Sequence, residues 1–372
     1  MASAQIRVFT SDVCLLHAPT YEFHSGAENH YHESPDRLTA IAKWLESRPE
    51  KRFVLSKDIV DHGMTPIQKI HKPDFLEYLQ TIYDEWVQEG GHPHGVAPAT
   101  VPHQRLARLG KGKPQTAAAK SGEYCFDLSA VIMKETWRAS YESAQVTLTA
   151  AGELKRLADQ LQGQNTTTDH PPAVYALCRP PGHHAQTDLC GGYCFLNNVA
   201  IATQWLIDQP QKDGRPSRVA IVDVDFHHGN GTQEIFYSVK NPLYTSLHSE
   251  KGYPFFTGSK EEQGEGEGLG FNINVPLPKS TNNDEYMAAL QKVIDDHVRP
   301  SAPDYVIVSL GVDTFQEDPI AGFQMTSDAY PRIGAAIRSI GVPTLFVQEG
   351  GYCVEKIGQN VGGVLEGFGG FQ

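Results

Sequence analysis

The chain has 372 residues, 40% hydrophobic and 20% charged, with a formal net charge of −13 at neutral pH. That length suits one large α/β domain or two ordinary ones. The acidic balance argues against a nucleic-acid binder, which shows a basic face, and suits a cleft that draws in a small cationic substrate.

From the start of the chain, MASAQIRVFTSDVCLL lacks a basic segment followed by a long apolar one, so no secretory signal is expected. No run reaches the ~20 apolar residues that span a bilayer. The six cysteines are Cys14, Cys125, Cys178, Cys190, Cys194 and Cys353. They form no CxxC pair and no zinc-finger spacing, which points to reduced thiols and a cytoplasmic protein. Residues 89–122 are rich in Gly, Pro and basic side chains and read as a long insertion loop rather than a domain linker. Loops of this length are functional or disordered.

RPPGHHA (179–185) presents His183 and His184 side by side after a rigid Pro-Pro-Gly turn. Tandem imidazoles can serve as a general base and an electrostatic partner beside an activated water. On spacing alone the signal is weak, and a plain core or surface pair is the readier reading. NNVAIATQWLI (197–207) predicts a helix capped by Asn197, and NNDEYMAALQKVIDDHV (282–298) predicts another capped by Asn283. RVAIVDVDF (218–226), DYVIVSLGVDT (304–314) and PTLFVQEGGY (343–352) predict buried strands. Strands alternating with helices predict a mostly parallel sheet with helices on both faces. Ligands in such folds sit beyond the carboxyl ends of the strands, where the polar residues of all three runs fall. EKGYPFFTGSKEEQGEGEGLG (250–270) reads as a second long loop.

The strand VAIVDVDFHHGNG carries groups that are costly to bury unpaired. Alternation puts Asp223, Asp225 and His227 on one face. A carboxylate with an imidazole is part of a metal site, and Asp313 at the next strand end is the candidate third ligand. Asp223 then suits a carboxylate that orients a histidine. Tyr352, after two glycines, could donate a hydrogen bond to an oxyanion. HHGNG does not supply the GxGxxG of a dinucleotide site.

Four long motifs in order, RPPGHHAQTDLCGGYCFLNN, IVDVDFHHGNGTQEIFY, SLGVDTFQEDP and QEGGY, resemble the histone deacetylase family, and most of all its acetylpolyamine amidohydrolase branch. The resemblance covers roughly the whole chain and implies a single deacetylase domain over 1–372 with the arginase/deacetylase fold. It implies a zinc ion on Asp225, His227 and Asp313. It implies a structural potassium ion near Ser246, Leu247 and Asp223, with Asp225 and His227. His183 and His184 match the tandem histidines, Asp223 and Asn230 their partners, and Tyr352 the catalytic tyrosine. Gly192 and Tyr193 match the wall of the substrate tunnel. HESPDR (32–37) matches an N-terminal motif, with Arg37 beneath the active site. The implied reaction is hydrolysis of an acetamide to acetate and a free amine, with His184 handling the proton.

The 89–122 insertion resembles the segment that dimerises that branch and narrows its entrance, which implies a homodimer and a small acetylated amine as substrate. SGEYCFDLSAVIMKETW (121–137) follows the branch's pattern, with Ser129 where an acidic residue is frequent and Asp127 two residues earlier. The same motifs also suit a class II-like protein lysine deacetylase, which the loop argues against. A binding module for acetylated ligands is the reading from another class, which the complete set of ligands, histidines and tyrosine argues against.

Overall fold

The computed structural model describes residues 5–24, 27–48, 52–103, 112–162, 170–212 and 214–371. The strands are β1 (Ile6–Phe9), the hairpin β2 (Tyr21–His24) and β3 (Ala27–His30), β4 (Phe53–Ser56), β5 (Ala173–Ala176), β6 (Val219–Asp223), β7 (Leu243–Ser249), β8 (Asn272–Leu277), β9 (Tyr305–Leu310) and β10 (Thr344–Gln348). Eight of them form one sheet in the order β4-β1-β5-β10-β9-β6-β7-β8, every pairing parallel. Every residue of β5, β6, β7, β9 and β10 is buried. Successive strand residues point to opposite faces, so burial of all of them means that both faces are covered. This is why the predicted strands read as continuous Val/Ile/Leu runs rather than alternating ones.

The helices used below are α1 (Asp36–Glu46), α2 (Pro73–Gln88), α3 (Ala117–Glu123), α4 (Thr136–Gln162), α5 (Asn198–Asp208), α6 (Asn230–Phe236), α7 (Asn283–Val293), α8 (Ala329–Arg338) and α9 (Val354–Gly369). Helix α9 packs against α1 and α8, and α4 against α5 and β5. Asn197 caps α5, its side chain accepting from Ala200 N–H, as predicted. The cap of α7 is Asn282 rather than Asn283. Asn282 and Glu285 form a reciprocal capping box, which satisfies two end groups at once and decides between adjacent asparagines. The insertion over 89–122 is not all loop: Thr116 caps α3, which takes up its last residues. Residues 104–111 of that insertion lie outside the described residues. The strands are shorter than predicted, because the residues that follow Asp223, Leu310 and Gln348 have already left the sheet. Among the described residues, no helix is long and apolar enough to cross a membrane.

Candidate active site

The parallel arrangement brings the carboxyl ends of β6, β9 and β10 side by side. Asp223 is the last residue of β6, so Asp225 and His227 sit beyond the strand instead of continuing its alternation. They still converge, because local hydrogen bonds hold the turn. Asp225 Oδ1 accepts from His227 N–H at 2.9 Å, and Asp313 Oδ1 accepts from Phe226 N–H at 2.9 Å. Asp225 Oδ2 accepts from Gly350 N–H, beyond β10, at 2.8 Å. His227 Nδ1 lies 2.9 Å from Asp313 Oδ2 and 3.3 Å from Asp225 Oδ1.

Asp225, His227 and Asp313 each offer one donor atom within 4.8 Å of the others. Glycine is required around them. A Cβ on Gly311 would lie 2.0 Å from Asp225 Oδ2, and one on Gly350 would lie 2.5 Å from the Oδ2 atoms of both aspartates. Two buried carboxylates and an imidazole in a cradle kept clear of side chains fit a divalent ion of the zinc type. Burial and the charge of Asp225 push the Asp313 carboxyl up to about 6, a repulsion that a cation between the two would offset.

The tandem histidines sit beside this centre, with ring centroids 4.1 Å apart. Gly182 lets their turn pass against the start of α5, where a Cβ would lie 2.6 Å from Asn198 N. His183 Nδ1 meets Asp223 Oδ2 at 3.1 Å, and His184 Nδ1 meets Asn230 Oδ1 at 2.7 Å. Burial pushes His183 down, but the carboxylates of Asp225 and Asp223 outweigh it and hold it up at about 10. Burial and the neighbouring charges of His183 and His227 hold His184 well below the usual imidazole range. The same surroundings therefore favour a proton on His183 and disfavour one on His184. His228, the other half of the second His-His pair, is a buried core residue held by Thr257 and Gln233.

Tyr352 is 8% exposed and lines a cavity of about 730 Å³ together with Asp127, Ser129, His184, Gly192, Tyr193, His227 and Tyr253. The positive φ of Gly351, 117°, permits the turn that aims it there. Burial pushes the Tyr352 hydroxyl well above its ordinary value, although the Arg37 guanidinium opposes this, so the phenol keeps its proton. That guanidinium lies 4.8 Å over the ring centroid. Arg37 also donates to the carbonyls of Gly351 and Glu349 and, with Arg179, to the buried carboxylate of Glu33. Ser246 pairs with Asp223 in the register of β6 and β7, and Leu247 follows it, both fully buried.

Sequence reasoning named every one of these groups except the residues that support them. Glu349 Oε2 accepts from Gly182 and His183 N–H, at 2.7 and 3.2 Å. Asp318 accepts from Tyr352 N–H at 2.7 Å. Tyr253 stacks edge-on to His184 with centroids 4.9 Å apart. Glu349 and Asp318 stood inside quoted motifs, at a strand end and before a proline, where a carboxylate is an available signal. Ser129, at the position expected to carry an acid, donates to Asp127 Oδ2 at 2.6 Å.

The histone deacetylase domain family matches residues 31–368. The chain belongs to the histone deacetylase family. It is 42% identical over 362 residues to acetylpolyamine amidohydrolase 1 of Pseudomonas aeruginosa, covering 96% of this chain and 97% of that one. It is 36% identical over 369 residues to the acetylpolyamine amidohydrolase of Mycoplana ramosa, covering 98% and 99%. The crystal structure of acetylpolyamine aminohydrolase from Burkholderia pseudomallei superimposes with a TM-score of 0.85 at 32% identity, covering 98% of this chain and 99% of that one. This histone deacetylase family member is an amidohydrolase of the deacetylase type, and the family's chemistry is metal-dependent.

Proposed function

We propose that the enzyme hydrolyses the acetamide of a small N-acetylated amine, an acetylpolyamine, to acetate and the free amine, with the whole chain acting as one catalytic unit. The observation that carries this reading is the meeting of the Asp225–His227–Asp313 cluster, a neutral and a cationic imidazole, and Tyr352 around one cavity walled by tyrosines. The likeness to acetylpolyamine amidohydrolases over nearly the full chain supports the substrate class.

Asp225, His227 and Asp313 would hold zinc. When bound, the ion supplies Lewis acidity that polarises the acetamide carbonyl and acidifies water. His184, free of its proton at neutral pH, takes a proton from the attacking water, with Asn230 fixing its ring. His183, kept cationic by Asp223 and Asp225, stabilises the negative charge that develops. The Tyr352 hydroxyl donates to the oxygen of the tetrahedral intermediate. His184 then returns the proton to the leaving nitrogen as the C–N bond breaks. Gly192 and Tyr193 flank the acyl-amine stem and keep bulk water from the reacting carbon. Potassium would sit at Asp223, Ser246 and Leu247, near the backbone of Asp225 and His227; the paired, fully buried register of β6 and β7 supports that position.

The test is side-by-side turnover of N-acetylputrescine, N8-acetylspermidine and an acetyl-lysine peptide by zinc-loaded enzyme. We expect kcat/KM for the acetylpolyamines to exceed that for the peptide by at least about tenfold, the worth of one well-matched contact. Faster peptide turnover would assign the enzyme to protein lysine deacetylation instead. The insertion over 89–122 is proposed to pair two chains across the entrance. Sedimentation is expected to give the mass of two chains for the intact enzyme and of one chain after deletion of residues 104–111. A dimer that survives the deletion would move the interface elsewhere.

A further inference from the structure

Glu22 lies on β2, in a hairpin that contributes nothing to the chemistry above, and it is 2% exposed. Burying a carboxylate is costly unless it is hydrogen-bonded. Burial pushes this one up to about 7, against the bonds it accepts from Tyr193 and from His32 N–H. Its Oε1 accepts from the Tyr193 hydroxyl at 2.9 Å.

Tyr193 is an unusual residue to find held this way. Its φ of 65° is left-handed, a conformation disfavoured for a residue with a Cβ. Its backbone therefore persists because its surroundings over-determine it. The ring packs 5.6 Å from the Tyr352 ring and 5.2 Å from the Tyr31 ring. A second aromatic ring of the same cavity is held alike. The Tyr253 hydroxyl donates to Asp127 Oδ2 at 2.8 Å, and the same oxygen accepts from Gly192 N–H at 2.9 Å. Each of these two rings is thus tied at its hydroxyl to a carboxylate, Tyr193 to Glu22 and Tyr253 to Asp127. Phenylalanine would cover the same apolar surface without a buried acid, so the acid serves to fix the ring's direction.

We infer that Glu22 is a positioning residue for the substrate tunnel: by holding the Tyr193 hydroxyl it sets the distance between the Tyr193 and Tyr253 walls and the surface against which Tyr352 rests. The inference rests on the deacetylase reading above for its substrate, and on geometry alone for its structural content.

A double-mutant cycle on zinc-loaded full-length enzyme tests it, with N-acetylputrescine and the acetyl-lysine peptide as probes. Glu22→Ala is expected to raise KM about tenfold with kcat within about threefold, the pattern of lost binding rather than lost chemistry. Tyr193→Phe is expected to match it, and the double variant to be no worse than either, since both remove one bond. Glu22→Gln keeps an acceptor and is expected to restore KM to within about threefold of wild type. A crystal structure of Glu22→Ala is expected to show the Tyr193 ring displaced.

Lowered Tm with unchanged KM, additive effects, or a Gln variant as poor as Ala would overturn the inference. So would an undisplaced ring, whatever the substrate. Turnover of neither probe by wild type would count against the deacetylase reading alone, and the crystal structure would still decide the inference. If Glu22→Ala yields no folded enzyme, Tyr193→Phe removes the same bond without touching the hairpin, and an unchanged KM there would overturn it.

Discussion

Replacing Tyr352 with phenylalanine is expected to lower kcat by about 10² to 10³-fold, the usual effect of removing one oxyanion donor. The argument is local. The hydroxyl keeps its proton, because burial outweighs the pull of Arg37. It therefore donates, which is what a carbonyl oxygen gaining charge requires. The ring's other contacts survive the change: Tyr193 beside it, Arg37 over its face, and the backbone bond to Asp318. Bound metal, measured by elemental analysis, and Tm are expected to stay at wild-type values. KM is expected to change by less than about threefold, since the interaction is made mainly in the transition state. A variant that keeps wild-type kcat would remove Tyr352 from the chemistry.

Asp313→Asn is expected to have a larger effect. An amide oxygen is a weaker, uncharged donor to a divalent ion, so bound metal should fall well below one ion per chain. With it, kcat/KM should drop by at least about 10³-fold, since the cluster's Lewis acidity is lost. The fold should tolerate the change. Asp313 and Asp225 repel one another, both fully buried, and Asn removes that repulsion at nearly constant volume. We therefore expect the metal-free variant to melt no lower than metal-free wild type, while wild type alone gains stability from added zinc through linkage. Full metal content and near-normal turnover in the variant would show that Asp313 is not a ligand. A variant that fails to fold even without metal would show that the ionic contact of Asp313 with His227, which Asn weakens, matters more than the repulsion from Asp225.

Much of this was readable from residue types. Apolar runs ending in Asp, His, Gly and Tyr can be buried strands only if their polar ends meet something, and in a parallel sheet those ends share one edge. Asp225, His227 and Asp313 follow from that as candidate ligands, and the resemblance carried by the ordered motifs added His183, His184 and Tyr352 as candidate catalytic groups. Helix caps were readable to within one residue; Asn282 displaced Asn283 because a reciprocal bond with Glu285 outweighs a single cap.

Which partners the supporting groups meet was not readable, and the reason is distance along the chain. Glu22 meets Tyr193 across 171 positions, Asp127 meets Tyr253 across 126, and Glu33 meets Arg179 across 146. Nothing in the local spacing of any of them carries the partner's position. A buried acid in a short hairpin looks like a surface residue until a distant segment, here that of Tyr193, packs against it. The sequence alone determined the alternation that makes a parallel sheet and which candidate ligands and acid–base groups stand at its strand ends, because strand period and side-chain chemistry are local properties. Only the tertiary structure decided which carboxylates brace the tunnel and how wide it stands, because a buried hydrogen bond depends on two distant segments excluding water from the same place.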